Sequence, residues 1–364
     1  LLELFKKVLR TAASIRITIT CVLALSLLVV WGTFYQVDNG IYAAQKQIFG
    51  SWFFIEFGVI PFPGIKTVIT LLTINLLATS LRVFSFNFRK AGIFLIHLGI
   101  IILIAGSGFS VSLVNESTVS LLEGESTTVS IKQYEWEIAL FRKSQGVITN
   151  IGRKNISGLK KGDNVEFRDY GILLHILESY TNCTGYGSNP HIIESLLSKP
   201  PEKNGRNFPG VVVNIQNRLS GGGEVPRMVL FSGSEAPAIF AFDGDTLMGV
   251  VQQAQVLLPF TVQLRKFTKI DHPGTREAKS YQSLIVISND NINREALISM
   301  NRPFRYRTIT FYQTGFSQQG EAMSSTLSVV DNPVRFVPYL SSIIVILGLL
   351  YHYIFAFFTY IKEK

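Results

Sequence analysis

Two histidines stand in stretches so apolar that their presence needs a cause. His97 lies within 91–110, AGIFLIHLGIIILIAGSGFS, and His352 within 337–359, VPYLSSIIVILGLLYHYIFAFFT. As a helix rising ~1.5 Å per residue, each stretch is long enough to cross a bilayer. An ionisable side chain at such depth is costly, faces protein rather than lipid, and usually serves a function. Counting from Ala91 sets His97 ~9 Å into its helix, and counting back from Tyr360 sets His352 ~12 Å into its own. Two neutral imidazoles at one level on opposed helices are what bis-histidine ligation of haem iron requires. This spacing points to haem b, with His97 and His352 as axial metal ligands. Gly348 lies one turn outward of His352 on nearly the same face, leaving room for a flat macrocycle or for a tight helix crossing. The plainer reading is a pair of polar side chains hydrogen-bonded across a helix interface. Tyr351 and Tyr353 beside His352 suit such an interfacial cluster.

Other reactive side chains offer less. His175 alternates within a strand-like run, and His191 and His272 fall in loops, with His272-Pro273-Gly274-Thr275 a turn signal. None of the three has metal-ligand spacing. The chain has two cysteines. Cys21 lies in an apolar run and Cys183 in a polar region, so no intrachain disulfide is expected, and no C-x-x-C motif supplies dithiol chemistry or a covalent haem site. Gly106-Ser107-Gly108 is a small-residue run in a membrane helix rather than a nucleophile elbow. No phosphate-binding loop occurs, and no catalytic residue is assigned.

The elements that must position the histidines are legible in the hydropathy. With 47% hydrophobic and 16% charged residues over 364, the chain suits a membrane-anchored protein with one large water-exposed domain. Four transmembrane helices are predicted, over 17–34, 65–81, 91–110 and 337–359. The first lacks a small-residue cleavage site, since Trp31, Phe34 and Tyr35 crowd the place, and is expected to be a retained helix rather than a signal peptide. Because the sequence starts at Leu1 rather than Met, a few leading residues are expected to be missing. Residues 35–64, greasy but too polar to span, predict an interfacial or re-entrant hairpin on the outer leaflet, with Pro61 and Pro63 launching the second span. In the third span Gly92, Gly99 and Gly106 recur every seven residues, a stripe broadly opposite His97 that can pack on a neighbouring helix.

The net charge of +9 is concentrated beside the spans: Lys6, Lys7, Arg10 and Arg16 at the start, Arg82, Arg89 and Lys90 in the connector 82–90, Lys362 and Lys364 at the end. That makes it a topology signal, not a nucleic-acid footprint, and puts both termini in the cytoplasm. Four crossings then place 111–335 outside. This segment alternates apolar and polar residues over 118–131, 134–141, 165–177, 211–216, 254–268, 281–288 and 306–313, which predicts an all-β domain, a sandwich or open barrel. The least ordered parts are expected at 185–209 and 220–224, with one short helix in 190–198. The organisation expected is thus a membrane domain, 1–110, a β domain, 111–335, and a last helix with a short tail, 336–364.

Five ordered blocks resemble the ResB/CcsB family of cytochrome c biogenesis proteins: 31–54 with the Pro-Phe-Pro-Gly of 61–64; 89–106, RKAGIFLIHLGIIILIAG; 258–287; 300–316, MNRPFRYRTITFYQTGF; and 329–348. The resemblance implies a multi-pass protein of the bacterial inner membrane that works with a CcsA/ResC-type partner. Together the two would carry haem across the membrane and present it, reduced, to apocytochrome c or other c-type cytochromes. Separately, the large, near-neutral β domain without a catalytic constellation is expected to dock the partner and help screen the haem or apocytochrome. The resemblance also implies that His97 ligates a membrane haem and that the second ligand comes from the partner, which also bears the tryptophan-rich haem-handling segment. With only three tryptophans, this chain would be an accessory subunit of a cytochrome c synthase, unable to complete the reaction alone. Pairing of His97 with His352 inside this chain would instead suit a b-type electron-transfer subunit of a respiratory complex.

Overall fold

The computed structural model describes residues 2–56, 60–83, 90–188, 192–202, 207–217, 225–242, 244–275, 277–289, 292–319 and 322–363. His191, Arg89 with most of the 82–90 connector, and the Gly-rich 220–224 lie outside them, as do parts of 185–209. The chain divides into two compact units, 1–114 with 332–364, and 115–331.

The first unit is helical. α1 (Leu2–Ala12) ends at a break where extended Ser14 caps α2 (Ile15–Asn39), its hydroxyl accepting from Arg16 N. Gly40, at φ +82°, turns the chain into the short α3 (Ile41–Ala44) and a π-helical turn over Gln45–Phe49. A two-stranded antiparallel hairpin follows, β1 (Phe53–Glu56) on β2 (Ile60–Pro63). Phe62 of this hairpin stacks on Trp31 and Phe54, while Ile48 and Ala44 are fully buried beneath it. Gly64 N donates to Trp52 O at 2.7 Å, closing the hairpin just before α4 (Ile65–Val83). Then come α5 (Ala91–Leu113) and, after the second unit, α6 (Val337–Glu363). Among the described residues four helical segments are long and apolar enough to cross a membrane: Lys6–Asn39, Ile65–Arg82, Ala91–Gly108 and Val337–Lys362. The protein is therefore multi-pass by length and composition. The helices α2, α4, α5 and α6 each run two to several residues beyond the predicted spans, because hydropathy stops counting before the helix ends.

The second unit is built of antiparallel strands, as the alternation predicts. They are β3 (Asn115–Leu122), β4 (Ser126–Ser144), β5 (Val147–Asn155), β6 (Asn164–Phe167), β7 (Ile172–Tyr180), β8 (Cys183–Tyr186), β9 (Ser195–Ser198), β10 (Gly210–Asn217) and β11 (Val225–Phe231). They continue as β12 (Ala238–Phe242), β13 (Asp245–Asp271), β14 (Ala278–Asn289), β15 (Ile292–Ser299), β16 (Phe304–Tyr306), β17 (Ile309–Gln319) and β18 (Ala322–Asp331). Among the described residues they make a four-stranded sheet, β11-β10-β7-β6, a ten-stranded sheet, β15-β14-β13-β4-β3-β18-β17-β16 with β12 on β13 and β5 on β4, and the pair β8-β9.

Two apolar cores result. Ile172, Leu174, Val211 and Val213 of the smaller sheet meet Ile138, Leu140 and Leu247 of the larger, a sandwich. Val119, Val262, Leu264, Ile285, Phe311 and Leu327, all from the ten-stranded sheet, enclose the other core, so that sheet curls on itself like a barrel. β13 threads both cores. It pairs with β4 from Thr246 to Gln263, with register shifts, and with β14 from Thr261 to Asp271. Pro259, lacking an N–H to donate, sits where the register against β4 slips between Leu257 and Val262.

One expected element is corrected. In place of a helix in 190–198, residues 195–198 form β9, paired with β8. Leu196 is buried against Cys183 and Val212, whereas Leu197 is exposed. That period of two overrides the helix-friendly composition of the stretch.

Candidate functional site

α5 carries the glycine stripe, and the stripe faces α6. A Cβ on Gly92 would come within 2.7 Å of the Gly348 carbonyl oxygen and 2.8 Å of His352 N; one on Gly99 would reach 2.6 Å from Val345 Cγ2, and one on Gly106 would strike Val337. The seam on α6 is Val337, Ser341, Val345, Gly348 and His352, spaced by three and four residues so that one face meets α5. Reciprocally, a Cβ on Gly348 would lie 2.9 Å from Gly92 O and 2.9 Å from Ile96 N. The space beside Gly348 is thus filled by the α5 backbone. Of the two features the sequence leaves open at Gly348, the structure shows the tight helix crossing.

His97 lies ~140° around α5 from Gly92 and ~160° from Gly99 at 100° per residue, so it points away from the seam. His352 stands on the seam, its Cβ against Gly92 and its ring edge-on to Tyr353 at 5.6 Å between centroids. The fold does not bring the two imidazoles together as an intrachain pair. Nδ1 of His97 is buried and, among the described residues, has no hydrogen-bond partner, while the residue as a whole is only half-buried.

The remaining candidates are structural. His175 contacts Asn164 Oδ1 at 2.5 Å and Gln216 Oε1 at 3.2 Å, a satisfied sheet residue. His272 O accepts from Thr275 N at 3.1 Å in the expected turn. Both cysteines are free and buried. Burial pushes the Cys183 thiol up to about 11, and its Sγ donates to Phe208 O at 3.3 Å, so it supplies no nucleophile at neutral pH. Among the described residues no group of three or more His, Cys, Asp or Glu is placed to hold a metal ion.

Sequence reasoning missed Asn75. It sits 2% exposed in the middle of α4 and ties three helices together. Its Oδ1 accepts from Thr18 Oγ1 at 2.6 Å, and its Nδ2 donates to Ala12 O at 2.6 Å and Ser14 O at 3.0 Å. These carbonyls are orphaned where α1 gives way to α2. The signal was present: a lone carboxamide in an apolar span is rarely idle.

Comparison with known proteins bears on the later strands of the β unit and on the last helix. Residues 226–338 match the ResB-like family. The stretch runs from β11 through β18 to the first residues of α6, and it includes the blocks 258–287 and 300–316 and the first half of 329–348. The chain is also similar to Protein NrfI of Wolinella succinogenes, 21% identical over 325 residues, which cover 88% of this chain and 32% of that protein. The chain therefore spans about a third of the length of this curated relative.

Proposed function

We propose that this chain is a haem-handling membrane subunit of c-type cytochrome biogenesis. It would act with a CcsA/ResC-type membrane protein to present reduced haem for attachment to apocytochrome c. The ResB-like match and the likeness to NrfI support the cytochrome c biogenesis role. The observation that carries the haem reading is the His97 ring, with Nδ1 buried and unpartnered. Keeping a buried polar edge unsatisfied costs roughly 1–3 kcal/mol, which marks the ring as one retained for a function, and haem ligation through its other nitrogen, Nε2, would be that function. The residues of this chain fit one axial position of a haem rather than two. His97 would hold the iron, the glycine seam would fix the rotation of α5 that aims the ring outward, and the second ligand would come from the partner. Bound haem supplies a redox-active iron and the group to be attached. On this reading the protein belongs in the bacterial inner membrane with both termini cytoplasmic and unit 115–331 outside, where it docks the partner or the apocytochrome.

The test is the haem content of the purified complex. His97→Ala is expected to lower haem per protein at least tenfold, with added imidazole restoring the low-spin absorbance by filling the vacated position. Unchanged haem content would overturn the assignment. A sharp low-spin ferrous spectrum from the lone subunit, abolished by His352→Ala, would overturn the partner ligand in favour of an electron-transfer subunit with both ligands in this chain.

A further inference from the structure

We propose that α1 is a lipid-surface anchor that recognises anionic phospholipid headgroups. At 100° per residue its side chains sort into two arcs without an intruder. Leu4, Val8, Leu9 and Ala12 fall within ~140°, and Glu3, Lys6, Lys7, Arg10 and Thr11 lie outside that arc. The helix runs against α4, and Leu9 and Ala12 are partly covered, but Leu4 is 65% and Val8 60% exposed. No other part of the described chain covers that apolar strip. Beside it Lys6, Lys7 and Arg10 are all exposed, and only Lys6 has an acidic neighbour, Glu3 at 3.2 Å. Arg16, exposed at the start of α2, extends the positive charge.

An aqueous surface would accept the cations and reject Leu4 and Val8; hydrocarbon would do the reverse. The boundary between acyl chains and headgroups accepts both, and the excess of basic over acidic groups selects headgroups of negative charge. Chain continuity supports this occupant. α1 passes directly into the membrane span α2, and Asn75 clamps the break by bonding the Ala12 and Ser14 carbonyls, so α1 cannot drift from the membrane it adjoins.

The experiment uses the full chain in nanodiscs, with a nitroxide on Leu4→Cys in a Cys21→Ala, Cys183→Ala background. Relative collision rates with oxygen and with a water-soluble nickel chelate report immersion. In discs containing about a third phosphatidylglycerol the label is expected to favour oxygen, and in pure phosphatidylcholine it shifts toward the chelate. The triple variant Lys6→Gln, Lys7→Gln, Arg10→Gln loses the phosphatidylglycerol effect, worth about fivefold in partition per charge removed. The same neutralisation at exposed Lys160 and Lys161 does not. Inorganic phosphate added to phosphatidylcholine discs restores nothing if the headgroup within the bilayer is the ligand; restoration would overturn the lipid assignment. Equal immersion in both disc types would overturn headgroup recognition. A label shielded from both reagents would show a protein occupying the strip and overturn the proposal entirely.

Discussion

The membrane unit joins its helices by two opposite devices. Between α5 and α6 the join is close packing: Gly92 and Gly348 let backbones touch, and Gly99 and Gly106 admit the side chains of Val345 and Val337. Among α1, α2 and α4 the join is one polar group, Asn75, with three hydrogen bonds. Lipid is as apolar as leucine, so helices in it associate through close packing or through polar contacts, and this chain uses each in a different place. The difference teaches that the two joins should fail differently. A seam of backbone contacts fails by steric wedging, spread along its length. A latch fails locally, at the residue that forms it.

The largest effect is expected at the seam. Gly92→Ala places a methyl against the Gly348 carbonyl and the His352 amide, neither of which is a flexible side-chain end. A loss of about 2–3 kcal/mol is expected, seen as a lowered thermal midpoint in micelles. Gly348→Ala wedges the same crossing, so the double variant should cost clearly less than the sum. Gly108→Ala, with nothing within 4 Å, should be neutral or slightly stabilising. Equal effects at Gly92 and Gly108 would erase the steric half of the comparison.

Asn75→Ala comes next, with a cost of about 1–2 kcal/mol. Hydrogen exchange should rise around Ala12–Thr18 and leave the α5–α6 seam protected; exchange rising along both joins alike would show that the latch is not local. Thr18→Val removes one of the three bonds while keeping side-chain volume close, and should cost about 0.6 kcal/mol with exchange confined to the start of α2. A loss as large as that of Asn75→Ala would mean that Thr18, rather than the two carbonyls, is the decisive partner.

The two joins also differ in how far the sequence discloses them. A stripe repeating every seven residues is a periodic signal, and so were the four apolar runs and the period of two in the strands; each averages over many residues. Asn75 is one residue whose partners lie ~60 positions away, at a helix break that no local pattern marks. α1 is legible in principle, because its charges carry an angular order as well as a topology signal. The candidate site shows the same split. The depth of His97 and its opposition to the glycine stripe follow from helix geometry alone. That Gly348 would be filled by the α5 backbone, and that His352 would sit on the seam and not across from His97, required knowing how α6 is rotated. Rotation is decided by packing, not by hydropathy. The misread helix in 190–198 has the same origin, since Leu196 is drawn into a strand by its partners in β8 and β10.

Asn115 and Asp331, the first and last residues of the β unit, are paired neighbours in adjacent strands. A polypeptide that departs and returns at one place is an insertion, and its host is a helical hairpin whose glycine seam owes nothing to what is inserted. The β unit can therefore lengthen, diverge or be exchanged between relatives at little thermodynamic cost to the α5–α6 pair, while each glycine of the seam stays under steric constraint.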